Sequence, residues 1–530
     1  MRSISSITIK LIAFLLALCV FMGTAPAFAM DEELSLGMIS SRTFRLNPLT
    51  ADEREFQSLT ALIYEGLFKL NDNFEHEENL VKTCSIEGKT WHIVMRDDIF
   101  FHDGAPVTAY DVVATINEIL RLANEGQGQY AQLKYIITEA SANDATNLIL
   151  KVNRPYLGVY YALTFPVLPA SQVQADFPAG SGPYMVHSFS PTDYLYLTAN
   201  ENWHEDTPYV KRINVTFKKT NRELIDEYEF NRVDAAITRA ATAGQYRTGI
   251  ANLNITFRTR QLETLLMNSN KIAFPLDDPL VRQAVRYAID IDSICNNVYS
   301  GMATRTNTPF PSDTWMYNEN AFQYEYNPEK AKQLLQEAGW EDLDGDGVRD
   351  KIVNDANKRL HLRLWCYEEQ DNNVREQAAA QIKHMLEQVG FEIKLEVLPF
   401  NLVKERLQAR NFDLCLAAYQ MDTVPDPGFL LMSNNTGNYV SYKSSAMDKL
   451  FNQLRTTMDF DQYRQLLYDI QQQYADDCPF LCLYYRNGAL LTRKVFTNER
   501  DTREPEVLRG IESIVNSSSF FAYIECEGSG

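Results

Sequence analysis

Residues 411–427 read NFDLCLAAYQMDTVPDP. Phe412, Leu414, Leu416 and Ala418 alternate with Asp413, Cys415 and Ala417, and six of these seven are apolar. A short, nearly continuous apolar run of this kind is the pattern of a strand buried on both faces. The run then breaks into a polar loop that carries Asp422, Asp426 and two prolines. Upstream, the periodicity predicts a strand over 360–366, a helix over 374–389, a strand over 391–398 and a helix over 401–409. Strands alternating with helices of this length imply βαβ units and a parallel sheet. Ligands of such sheets sit beyond the carboxyl ends of the strands, which is where the loop 420–426 falls. Two carboxylates there suit a cationic group such as an α-amine.

The chain has 530 residues, more than one core serves, so two or three lobes are expected. Apolar residues make up 45% and charged residues 23%, as in an ordinary globular protein. Fifty basic and 70 acidic residues give a net charge of −20. An excess of acid disfavours nucleic acid, where a basic face dominates affinity, and an anionic membrane surface. The first 29 residues carry Arg2, Lys10, an apolar run over 11–22 and Ala27-Phe28-Ala29. This reads as a cleavable secretory signal peptide. Its apolar run is ~12 residues, short of the ~20 that span a bilayer. Losing Arg2 and Lys10 with it would take the charge from −20 to −22. Leu16-Ala17-Leu18-Cys19 approaches a lipoprotein box, but Leu18 is large where a small residue belongs. An exported, periplasmic protein without a lipid anchor is therefore expected.

Seven cysteines remain beyond Cys19, an odd number, so at least one thiol stays unpaired within the chain. Cys478 and Cys482 fall in an apparent strand, too far apart along it for a disulfide. Buried thiols are the expectation.

Further upstream, a strand is expected over 38–46 and an amphipathic helix over 55–68. Thr108 and Asp111 form a capping-box variant that opens a helix through Leu122. Gly180-Ser181-Gly182-Pro183 reads as a tight junction between elements. Asp278-Pro279 and Asn327-Pro328 each pair an N-cap with a first-turn proline.

Several of these segments together resemble the periplasmic peptide-binding proteins of ABC importers, solute-binding protein family 5. The text that carries the resemblance is YEGLFKLN (64–71), MRDDIFFHDGAPVTAYDVVATI (95–116), GSGPYMV (180–186), NENWHEDTPYVKRI (200–213), VRQAVRYAIDIDSI (281–294) and NPEKAKQLLQEAGWEDLDGDG (327–347). The resemblance implies an α/β, two-lobed binding fold with mixed sheets and two hinge crossovers. Lobe I would comprise 31–70, 181–262 and 485–530, with an extra subdomain at 71–180, and lobe II would be 263–484. It implies a monomeric receptor that encloses a peptide between its lobes and delivers it to an ABC permease. Asp422 would pair with the ligand's α-amine and Arg375 would meet its carboxylate. Tyr419 and Trp365, aromatic residues at strand ends, are further candidates for the pocket wall, and Asp426 is the alternative acid. The same fold binding a metal chelate, haem, an opine or an oligosaccharide is the main alternative.

Asp342, Asp344, Asp346 and Asp350 have the oxygen spacing of a calcium loop, without the glutamate at its twelfth position, which is Val353. A structural calcium is the one cofactor the sequence suggests. The seven histidines are scattered, and no GxSxG, GxxxxGK[ST], SxxK or HExxH occurs. Nothing assembles a nucleophile with its base, so a secreted hydrolase is the least favoured reading and no enzyme is expected.

Overall fold

In the computed structural model the run that opens with Phe412 becomes a strand, Leu414–Gln420, with its first four side chains buried. The residues described are 33–40, 45–51, 53–246, 253–270, 274–321, 325–369, 372–493 and 502–511. The signal-peptide reading, Cys19 and Cys526 lie outside them. The expected βαβ series is present. Strand His361–Tyr367 runs parallel to Glu392–Leu398 on one side and to Leu414–Gln420 on the other, with Trp365 opposite Cys415. Helices Val374–Glu387 and Phe400–Gln408 form the connections between them.

These strands belong to an eleven-stranded mixed sheet. Beyond Leu414–Gln420 come Leu253–Met267 and Phe480–Thr492. The sheet then continues through Ala235–Thr238, Glu33–Ile39, Arg212–Lys218 and Tyr194–Ala199 to Tyr184–Ser190. The two long strands, of 15 and 13 residues, pair antiparallel along most of their length. Each therefore runs from the half of the sheet built by residues 361–420 into the half built by 33–39 and 184–238. The register shifts between Arg258 and Leu262 and again between Glu263 and Thr264. Irregularities of this kind bend a strand where two halves of a sheet meet.

A separate four-stranded antiparallel sheet, in the order Val81–Glu87, Thr90–Met95, Asn147–Val152, Ile137–Ala142, packs against helix Ala109–Asn124. The capping box is formed: the Thr108 backbone N–H donates to Asp111 Oδ2 at 2.9 Å.

Three local expectations are corrected. The first strand is Glu33–Ile39, not 38–46. The helix expected over 55–68 is Arg54–Ile63, and the chain then enters the short strand Phe68–Leu70. Its apolar spacing continues because Tyr64, Leu67 and Phe68 are buried in the same core. The helix ends because the glycine junction lies against it: Gly182 N–H donates to Ile63 O at 2.9 Å, and a Cβ on Gly180 would come within 1.9 Å of that oxygen. Cys478 is not in a strand but caps helix Phe460–Asp477 in the left-handed conformation (φ 45°), and the strand begins at Phe480. Both Cys478 and Cys482 are buried free thiols, as expected.

Candidate functional site

The loop after Leu414–Gln420 is clipped to the neighbouring long strand, since Met421 N–H donates to Arg260 O at 2.8 Å. Its second half is fastened down. Asp426 accepts from Arg455 Nε at 2.6 Å and Nη2 at 3.0 Å, and Tyr463 Oη donates to Pro425 O at 2.9 Å. Its first half is open. Asp422 is exposed, accepts from the N–H groups of Thr423 and Val424, and takes part in no ion pair among the described residues.

Asp422 lies on the wall of a cavity of about 560 Å³. The cavity is lined also by the segment around Tyr64 and Glu65, by Tyr130 and Trp203, and by residues between Arg503 and Gly510. This volume is within the range of small-molecule and cofactor sites. A narrower recess of about 60 Å³ shares Asp422 and Arg260 with it and is lined also by Arg258, Phe310 and Tyr485.

Most charged groups on these walls are already matched. Glu65 accepts from His204 Nε2 at 2.9 Å, Ser181 Oγ at 2.9 Å and Trp203 Nε1 at 3.3 Å. Arg503 donates to Leu70 O and Asn71 O. Burial works against the Glu504 carboxylate, but Arg239 and Arg54 outweigh it and hold its pKa below the ordinary value. Burial, reinforced by the neighbouring charge of Arg503, pulls Arg258 down to about 10. Arg260 is different. Its Nη2 donates to Gln57 Oε1 at 2.9 Å, while its Nε is buried with no hydrogen-bond partner among the described residues. Arg260 and Asp422 thus offer one cationic and one anionic group from adjacent strands to the same space.

Of the five candidate ligand residues, only Asp422 lies on this cavity. Asp426 lines only the narrower recess, and its charge is already matched by Arg455. Arg375 is 1% exposed and donates to both oxygens of Glu263 and to Glu369. It backs a different recess, with Tyr367 and Glu376, and its charge is spent inside the protein. Trp365 is also 1% exposed, its indole N–H donates to Glu396 Oε2 at 2.8 Å, and its ring lies beside the guanidinium groups of Arg363 and Arg406. Tyr419 donates its hydroxyl to Gly437 O at 2.8 Å and stacks on Tyr439. Each of these four side chains is engaged by other groups of the protein. Arg260 was missed, although FRTR at 257–260 carried a signal: two arginines alternating in a strand place both on one face.

The two halves joined by a pair of long strands, with a cavity beyond the strand ends, define a two-lobed α/β binding protein. The sequence profile of the bacterial extracellular solute-binding proteins, family 5 (middle region), matches residues 77–441, and the chain belongs to that family. Family 5 proteins are transport receptors rather than enzymes. The chain is 27% identical over 483 residues to the oligopeptide-binding protein AppA of Bacillus subtilis (strain 168), covering 86% of each. The crystal structure of the B. subtilis AppA in complex with a nonapeptide superposes with a TM-score of 0.69 at 23% identity, covering 92% of this chain and 99% of that one. NikA from Brucella suis in complex with Fe(III)-EDTA superposes with a TM-score of 0.78 at 18% identity, covering 91% and 99%.

Proposed function

We propose that this solute receptor takes peptides with a free α-amine and delivers them to an ABC permease from outside the cytoplasm, in the periplasm. The observation that carries the reading is Asp422: an exposed carboxylate without a cationic partner among the described residues, at the carboxyl end of a sheet strand, on the wall of the cavity. A ligand ammonium enclosed there needs a counter-charge, because a buried charge without a partner is costly. Arg260 on the adjoining strand supplies a guanidinium for a ligand carboxylate or carbonyl, and guanidinium–carboxylate contacts are among the strong hydrogen bonds. Lobe I is 31–70, 181–262 and 485–530, the subdomain is 71–180 and lobe II is 263–484, with Leu253–Met267 and Phe480–Thr492 as the crossovers about which the lobes close. The protein acts as a monomer.

Native mass spectrometry of the purified protein tests the ligand class directly. A co-purifying mass that fragments as a peptide supports the proposal. A metal chelate, haem, opine or oligosaccharide mass replaces the peptide reading with another solute of the same fold.

A further inference from the structure

Between helix Pro328–Glu337 and the hairpin Asp350–Val353/Ala356–Arg359, the chain forms a loop that no part of the peptide reading uses. One carboxylate oxygen from each of Asp342, Asp344 and Asp346 lies within 4.8 Å of the others. Three exposed carboxylates are common without a bound ion. The fourth acid is not ordinary. Asp350 is 1% exposed, and neither of its carboxylate oxygens has a hydrogen-bond partner among the described residues. A buried, unpartnered carboxylate is among the costliest groups a fold can carry. Its direction is set by the hairpin: Asp350 pairs in register with Arg359, so the two side chains leave on one face. From that face Arg359 reaches Asp346 Oδ2 at 2.8 Å. Arg359 also interacts electrostatically with Asp350, so Asp346 and Asp350 border one guanidinium, with Asp350 outside the 4.8 Å cluster of the three loop acids.

We propose that Asp342, Asp344, Asp346 and Asp350, with the Val348 carbonyl, bind one calcium ion. Counting Asp342 as one, these are positions 1, 3, 5, 9 and 7 of a calcium loop. Position twelve is Val353, which has no side-chain oxygen, and the buried Asp350 provides the inner carboxylate instead. The donors are all oxygen, which selects a hard cation and not nickel or zinc. On binding, the cation replaces Arg359 as the counter-charge of Asp346, and Arg359 retains Glu392, whose Oε2 is 3.3 Å from its Nε. The ion would tie the helix to the hairpin that leads into strand His361–Tyr367, which lies one strand in from the edge of the ligand-binding sheet. Extracellular modules bind calcium with Kd of about 10⁻⁴–10⁻³ M, and the same range is expected here.

The test is calorimetry and thermal melting of the EDTA-treated protein with calcium and with magnesium, on wild type, Asp344→Asn and Asp350→Asn. The expected result is one calcium per chain, a melting temperature raised by calcium well beyond magnesium, and at least ~10-fold weaker calcium binding in each variant. Without calcium, Asp350→Asn melts at or above wild type, because the unpartnered charge is gone. Terbium emission sensitised through Trp340, two residues before Asp342, and quenched by added calcium gives a readout in wild type alone. No heat and no calcium-specific shift at ~10 mM, or shifts unchanged in Asp344→Asn and Asp350→Asn, overturn the proposal. None of these readouts involves peptide, so they stand apart from the ligand reading.

Discussion

Arg375 donates to both carboxylate oxygens of Glu263, at 2.5 and 2.8 Å, and the two side chains are 1% and 0% exposed. Arg486 on the second long strand approaches the same carboxylate, its Nε 2.7 Å from Oε1. One acid thus ties together both long strands and helix Val374–Glu387 at the point where the sheet changes from one half to the other.

Removing one partner of this buried pair leaves a charge uncompensated, which typically costs ~3–5 kcal/mol. Glu263→Gln and Arg375→Met should each destabilise by about that amount in urea unfolding, and the double variant by less than the sum. Single-variant losses under ~1 kcal/mol would show that the network carries little. Burial raises the Glu263 pKa, but Arg375 and Arg486 outweigh it and leave it lowered. A lowered folded pKa adds stability that is complete above the ordinary carboxylate value, ~4.3, and is lost as the pH falls through the folded value. Glu263→Gln should therefore flatten the acid limb of the stability profile.

Asp422→Asn keeps the shape of the cavity wall and removes its charge. Losing one partner of a desolvated charge pair costs ~2–5 kcal/mol, and each ~1.4 kcal/mol is tenfold. Affinity for free-amine peptides should fall at least ~30-fold, whereas amino-acetylated peptides should bind wild type weakly and lose little more. Asp426→Asn should lower stability by stranding Arg455 and leave affinity unchanged. Calorimetry on both variants decides, and a binding loss confined to Asp426→Asn would assign the amine to that acid.

Arg260→Gln should weaken peptides with a free terminal carboxylate at least ~10-fold, as expected for hydrogen bonds to charged groups. Carboxyl-amidated peptides should be much less affected. Equal losses for both would mean that Arg260 shapes the wall through Gln57 and does not read the ligand carboxylate.

Closure of the lobes about Leu253–Met267 and Phe480–Thr492 should reduce the radius of gyration in small-angle scattering when ligand is added. Superimposable curves at saturation would remove the hinge from the mechanism.

Cys84 is half-buried, while Cys295, Cys366, Cys415, Cys478 and Cys482 are buried. Burial pushes the thiols of Cys415 and Cys482 up to about 12. The thiolate is the reactive form, so a thiol reagent at neutral pH should leave these five untouched until the protein is unfolded. Modification of Cys415 in the native protein, located by peptide mass mapping, would contradict its placement in the sheet.

The sequence by itself determined the elements whose cause is local. Alternating apolar residues gave the strand now seen as Leu414–Gln420, and the Thr108–Asp111 box gave the start of its helix, because side-chain periodicity and capping act over a few residues. The spacing of acids from Asp342 to Asp350 was equally plain, and so was Asp422 just beyond its strand. What lay beyond the sequence was which charged groups are free. Asp422 and Asp426 sit in one loop with the same chemistry, yet only Asp426 is consumed, by an arginine 29 residues away. Arg375 was expected from the resemblance to meet a ligand carboxylate, but its partner Glu263, 112 residues distant, already takes its charge. The helix expected to reach Phe68 stops at Ile63 because a glycine junction more than 100 residues later packs against its end. Local pattern fixes the backbone state of a segment, whereas pairing of charges and close approach of backbones depend on which distant segments the fold brings together. For this chain, tertiary structure therefore decided which of several equivalent acids and arginines remain available to a ligand.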